Sequence, residues 1–311
     1  MLSKITTRVV ERTSAVGLSC SGTDAHCVSN LGEFLKKGIL LTNSLSLDAP
    51  FVGVIWLWCL SYLYSSNIEF HHYVILFSVT WLAYSGDRLL DSIRMPALSH
   101  GKLPRHLFAT MHFKPLMCTW ALVAVFSILY LFHTLNRTEI GGGFCLLSML
   151  LIYFLACFYF PSQARGFLPR ELLVGLFFST ATHFFILIQL EHWSFYSVWT
   201  SVCFLSLCSL NCLAISRWEH RFDRQAGEVT FFTANPEQLH RFRNVLRGFI
   251  CLQVLVCCVL IFMQLMPVFE ISVLTSTLLL LFLDRCSLQP HLKPVLADFA
   301  LFTPCVFLSF L

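Results

Sequence analysis

The chain has 311 residues, 57% of them hydrophobic and only 12% charged, with 31 phenylalanines and a formal net charge of +4. That is more apolar surface than a soluble core of this length hides, so composition excludes an ordinary soluble domain and points to an integral membrane protein. Low-complexity and nucleic-acid-binding signals are absent, and no nucleic-acid partner is expected.

In chain order, residues 1–46 form an N-terminal segment ahead of a membrane domain at 47–311. Its first 30 residues are rich in Ser and Thr and carry Lys4, Arg8 and Arg12 without an apolar core long enough for a secretory signal. They read as disordered, and Glu11 and Asp24 count against an organellar transit peptide. From Leu31 to Leu47, apolar residues recur among Glu33, Lys36 and Lys37, which suits either a helix lying in the membrane interface or a plain linker.

A spanning helix needs about 20 mostly apolar residues. Apolar runs of that order, carrying at most one charged residue each, predict nine spans: Pro50–Ser66, Tyr73–Gly86, Pro115–His133, Ile140–Phe160, Leu172–Leu190, Phe195–Ile215, Leu246–Gln264, Pro267–Leu283 and Val295–Leu311. The seventh and eighth are one run too long for a single helix, divided at Met266-Pro267 because proline can open a new helix. With that count, every one of the 21 Lys and Arg residues except Arg137 falls on the side of the amino terminus. By the positive-inside rule that side is cytoplasmic, or its equivalent in an organelle, and the carboxyl terminus lies opposite. The polar sequence is concentrated on this side, in loops at Ser92–Lys114 and Gln225–Asn244, whereas the opposite loop at Glu191–Ser194 is very short. Loop residues His100, His106 and His112 lack the regular spacing of a metal site. The 14 cysteines are scattered through apolar runs with no CxxC pair and read as small hydrophobes. His183 is the ionisable residue in mid-span and reads as a hydrogen-bonded core histidine.

Two stretches carry chemistry. In Trp81–Arg94 an apolar run passes without a loop signal into Asp87 and Asp91, which share a helix face, with Tyr84 one turn earlier and Arg88 and Arg94 alongside. In Asn211–Asp223 the same thing happens with Glu219 and Asp223, flanked by Arg217 and Arg221. A single acid pair at a helix end marks a water interface. Two such pairs on one side of a membrane point to a site, because charge at membrane depth is costly. Carboxylates are hard oxygen ligands suited to Mg²⁺, which commonly binds through a few carboxylates plus substrate phosphates. Arginine forks suit phosphate. Together they describe a site for a diphosphate whose apolar tail lies in the membrane.

The arrangement resembles the UbiA superfamily of intramembrane prenyltransferases, an all-α bundle of nine transmembrane helices with two acidic motifs on one face. Ala83, Asp87 and Asp91 stand at the positions of that family's first Asn-x-x-x-Asp-x-x-x-Asp motif. Glu219 and Asp223 match its second, and Arg170, in the stretch Leu168–Phe178, stands where a basic residue opens the fifth span. Ala83 replaces the expected asparagine, and the second motif carries fewer acids than many members. The resemblance implies that Mg²⁺, held by Asp87, Asp91, Glu219 and Asp223, binds an isoprenyl diphosphate, and that a lipophilic or aromatic acceptor captures the prenyl group. Arg88, Arg94, Arg170, Arg217 and Arg221 would stabilise the diphosphate, with Tyr84, Trp218 and Asn211 nearby. Two other readings use the same pocket or none: a transport-type protein holding an anionic lipid or diphosphate without reacting it, and a non-catalytic scaffold.

Overall fold

The computed structural model describes residues 38, 41–94, 104–159, 169–190, 192, 194–226, 230–262, 267–289 and 292–308. Chain contacts divide it into Met1–Leu41 and Thr42–Leu311, and nearly all described residues belong to the second unit. The expected disorder over the first 30 residues lies outside the described residues, as does most of the expected interfacial helix.

Thr42–Leu311 is helical, with no strand among the described residues. Its helices are α1 (Asp48–Leu63), α2 (Phe70–Arg94), α3 (Pro104–Met111), α4 (Phe113–Thr134), α5 (Arg137–Tyr159), α6 (Arg170–Gln189), α7 (Phe195–Ala226), α8 (Phe231–Ala234), α9 (Gln238–Phe262), α10 (Val268–Arg285), α11 (Lys293–Phe299) and α12 (Thr303–Leu308). Four of them are long and apolar enough to cross a membrane: α4, α6, residues Phe195–Gln225 of α7, and α9. The apolar helix α1 is shorter. The exterior agrees with a lipid solvent, since Leu122, Phe126 and Leu129 on α4 are 67%, 76% and 66% exposed. Apolar stripes of that size rarely face water on a soluble protein.

Both expected loops contain helix. Pro104 opens α3, where its missing N–H costs nothing. Thr230 opens α8 through a capping box, its hydroxyl accepting from the Thr233 amide while the Thr233 hydroxyl accepts from the Thr230 amide. Helix α9 starts at Gln238, eight residues before the apolar run that predicted it. Hydrophobicity marks the buried or lipid-facing part of a helix and is blind to its polar ends.

The core forms where α1 meets α7 and α10. Trp56, fully buried, lies against Phe204 at 4.7 Å and Phe269 at 5.6 Å between ring centroids. Its indole N–H donates to the Leu301 carbonyl at 2.8 Å. That acceptor sits in a 3₁₀ turn, Ala300–Phe302, between α11 and α12. Pro304 explains the break, because its ring clashes with the carbonyl four residues back and it has no N–H to donate there. The final expected span is thus two short helices joined by a tighter turn.

Helices α6 and α7 approach each other closely at Gly175. A Cβ on Gly175 would stand 2.6 Å from the Ser209 hydroxyl and 2.9 Å from its backbone nitrogen. Small residues allow this in a membrane bundle, where dispersion between closely approached backbones replaces the hydrophobic effect. His183 is a core residue as expected, its Nδ1 3.0 Å from the Ser179 carbonyl, and the eleven described cysteines are free thiols.

Candidate functional site

A turn built by residues 42–47 begins the site. Ser46 has a left-handed backbone (φ 58°), and the Ser46 and Leu47 amides donate to the carbonyls of Asn43 and Thr42, both at 3.0 Å. This pair of bonds closes a helix end with a left-handed residue. It leaves the Asn43 side chain donating to the Asp48 carboxylate at 2.5 Å, and the Asn43 carbonyl accepting from the Arg88 guanidinium. Asp48 is 2% exposed and also accepts from the Ala49 amide at 3.1 Å, which suits an acid in the first turn of α1.

One helical face of α2 carries Tyr84, Asp87, Arg88 and Asp91. The first residue of α6 answers them: Arg170 donates from Nη2 to Asp87 Oδ2, and the same nitrogen lies 3.8 Å from Asp91 Oδ2. The acid pair is therefore gathered about a cationic group. The next residue, Glu171, faces α7 instead, accepting from the Ser216 hydroxyl at 2.7 Å and from the Phe231 amide at 2.9 Å. Its other oxygen, Oε2, is buried without a partner. Helix α6 thus stands with one residue toward each acidic stretch.

One turn inward from Asp87 lies a cavity of about 20 Å³, lined by Tyr84, Gly175, Phe178, Asn211, Cys212 and Asp298 among others. It has room for about one water molecule. Asn211 donates to Asp298 at 2.9 Å, while its own Oδ1 is buried without a partner. Tyr84 stands edge-on to Phe178 at 6.3 Å, so it lines the cavity within the bundle rather than anchoring the chain at the interface.

The second acidic stretch is arranged differently. Glu219 is 4% exposed, Asp223 is half-buried and Arg221 is exposed. Arg217, expected beside Glu219 and Asp223 as a diphosphate-stabilising group, donates to Asp284 on α10 and from Nε to the Leu239 carbonyl at 3.1 Å. Asp284 also accepts from the Trp218 indole at 2.9 Å and from Arg243 at 2.5 Å. Arg94 closes α2, and its side chain lies outside the described residues. Among the described residues, no group of three or more His, Cys, Asp and Glu side chains is arranged to hold a metal ion. The fit to Mg²⁺ rests on the pair Asp87 and Asp91 alone. They already surround a positive group, and Mg²⁺ needs only one or two carboxylates when phosphate and water complete its shell.

Asp48, Glu171, Asp284 and Asp298 also hold polar contacts in this region, and neither acidic motif contains them. The signal that finds Asp48, Glu171 and Asp284 is a carboxylate bordering an apolar run without a base four residues away, and for Asp298 it is a lone carboxylate inside the ninth run. No family model, characterised protein or solved structure matches the chain.

Proposed function

We propose that the membrane domain binds an isoprenyl diphosphate where α2, α6 and α7 meet and transfers its prenyl group to a lipophilic or aromatic acceptor. The observation that carries this reading is Arg170 bridging Asp87 and Asp91 one turn from a small cavity that Tyr84, Phe178 and aliphatic residues line together with Asn211 and Asp298. In the proposal nine helices cross the membrane, and the amino terminus and both acidic stretches share one side.

The chain's own residues divide the work by charge. Arg170 and Arg88 attract the diphosphate, and Arg170 can turn from carboxylate to phosphate because both partners are about one-third exposed. Asp87 and Asp91, relieved of Arg170, would hold Mg²⁺, with Glu219 and Asp223 as the expected second pair. The ion, when bound, supplies charge that stabilises the leaving diphosphate. Tyr84 and Phe178 wall the site against water beside the reacting carbon. The allylic C–O bond breaks with its electron pair leaving on the diphosphate, and the acceptor forms the new bond to carbon and releases a proton.

Radiolabelled geranyl, farnesyl, geranylgeranyl and phytyl diphosphates, incubated with the protein and a membrane extract as acceptor source, test the reading. Labelled product from the parent and none from Asp87→Asn is expected. Background signal from both across every donor removes the transferase. What then stands is a protein that binds an anionic lipid or diphosphate without reacting it.

A further inference from the structure

A second cluster of charge lies away from Asp87, at the end of the bundle where α7, α9, α10 and α11 meet. Arg217, Arg243 and Lys293 come together around Trp218 and Asp284, two of them as ion-pair partners of that acid. The Lys293 ammonium lies 5.5 Å over the Trp218 ring. Among the described ion pairs, the cations of this cluster outnumber its carboxylate. Burial lowers the Lys293 pKa below the ordinary lysine value; Cys286 opposes this, and the charges of Arg217 and Arg243 each add a smaller lowering effect. Like charges gathered in a partly buried site are costly unless an anion joins them. Helix α9 adds to the field, because Arg241, Arg243 and Arg247 all fall in its first ten residues.

The same helix continues as an apolar face. Arg247 is exposed, and below it at helical spacing come Cys251, Leu255, Cys258 and Phe262, all exposed, with Leu255 at 62% and Phe262 at 89%. From Arg247 to Phe262 the stripe runs roughly 22 Å at 1.5 Å per residue, more than the roughly 15 Å hydrocarbon depth of one leaflet. Basic side chains at the head of a lipid-facing helix have one chemical complement, a phosphate carrying acyl chains.

We propose that the α9 face is a binding site for an anionic phospholipid, its headgroup phosphate held by Arg243, Arg247 and Lys293 and its acyl chains lying along Leu255 and Phe262. Arg243 can serve both partners, since its Nε is committed to Asp284 while its side chain is 44% exposed. The site is separate from the Asp87 and Arg170 cluster and does not depend on prenyl transfer.

Full-length protein in a neutral detergent is titrated with phosphatidylglycerol and, separately, with phosphatidylcholine of the same acyl chains, and bound lipid is counted by native mass spectrometry. One phosphatidylglycerol per chain should bind in preference to phosphatidylcholine. Each charge removed weakens that binding about fivefold, and R247Q/K293Q about thirtyfold. Should the double variant melt below the parent in phosphatidylcholine, Lys293→Gln, which breaks no ion pair described here, carries the comparison with an expected fivefold loss. Inorganic phosphate separates a headgroup site from a simple phosphate site, and farnesyl diphosphate separates this site from the Asp87 cluster; neither should displace the bound lipid. Equal binding of the two lipids, unchanged binding by Lys293→Gln, or displacement by either competitor overturns the proposal.

Discussion

Arg170 Nη2 lies 3.8 Å from Asp91 Oδ2 while donating to Asp87, so one guanidinium from the start of α6 bridges two carboxylates a turn apart on α2. The bridge is open to solvent at Arg170 (31% exposed) and Asp87 (36%), and exposed ion pairs contribute only about 0–1 kcal/mol. Arg170→Gln should therefore leave the melting temperature nearly unchanged. In the proposed function it removes a charge-assisted contact worth about 1.5–3 kcal/mol, a tenfold to hundredfold loss of isoprenyl diphosphate affinity. Calorimetry of parent and variant checks both halves. A large fall in stability with unaltered affinity would make Arg170 a structural residue.

Asp284 should behave in the opposite way. Its side chain is 1% exposed and is shared by Arg217, Arg243 and Trp218. Removing one partner of a buried ion pair costs about 3–5 kcal/mol, because the remaining charges stay desolvated. Asp284→Ala is expected to lower thermal stability far more than Asp87→Asn, as read by melting in detergent. Equal melting of the two variants would contradict the burial contrast.

Gly175→Ala probes the α6–α7 contact. Its new methyl group would stand 2.9 Å from the Ser209 backbone nitrogen, which cannot rotate away. Overpacking of this kind costs about 1–3 kcal/mol. Combining it with Ser209→Gly removes the hydroxyl but not the backbone, so rescue should be incomplete; full recovery of the parent's stability would show that only the side chains collide.

Metal and diphosphate should bind together if Asp87 and Asp91 exchange Arg170 for a phosphate-bound cation. At a hundredfold excess over Kd a ligand stabilises the folded state by about 2.7 kcal/mol. Farnesyl diphosphate with Mg²⁺ should raise the melting temperature, and a chelator should abolish most of the rise. Stabilisation indifferent to chelator would leave an arginine-only anion site.

Topology is testable independently of chemistry. Single cysteines at Glu237, before α9, and at His192, between α6 and α7, are both exposed. In the nine-span proposal Glu237→Cys labels from the side of the amino terminus and His192→Cys from the opposite side. Labelling of both from one face would break the shared site.

Much of the architecture was legible from composition alone. Each of the nine apolar runs coincides with helix among the described residues, because the need to bury or solvate apolar side chains is written locally, residue by residue. Asp87 and Asp91 were equally legible, since helical spacing fixes a shared face without reference to any other part of the chain. Their partner was not a neighbour in sequence. Arg88, adjacent to Asp87, instead binds the Asn43 carbonyl, and the bridging cation comes from 83 residues away. Arg217 likewise turns to Asp284, 67 residues on, and Asn211 to Asp298, 87 residues on. Charge pairing depends on how each helix is rotated and where its end meets another, and those angles are set by contacts such as Gly175 on Ser209 and Trp56 on Leu301. A sequence specifies which side chains are available along one helix; only packed helices decide which of them meet.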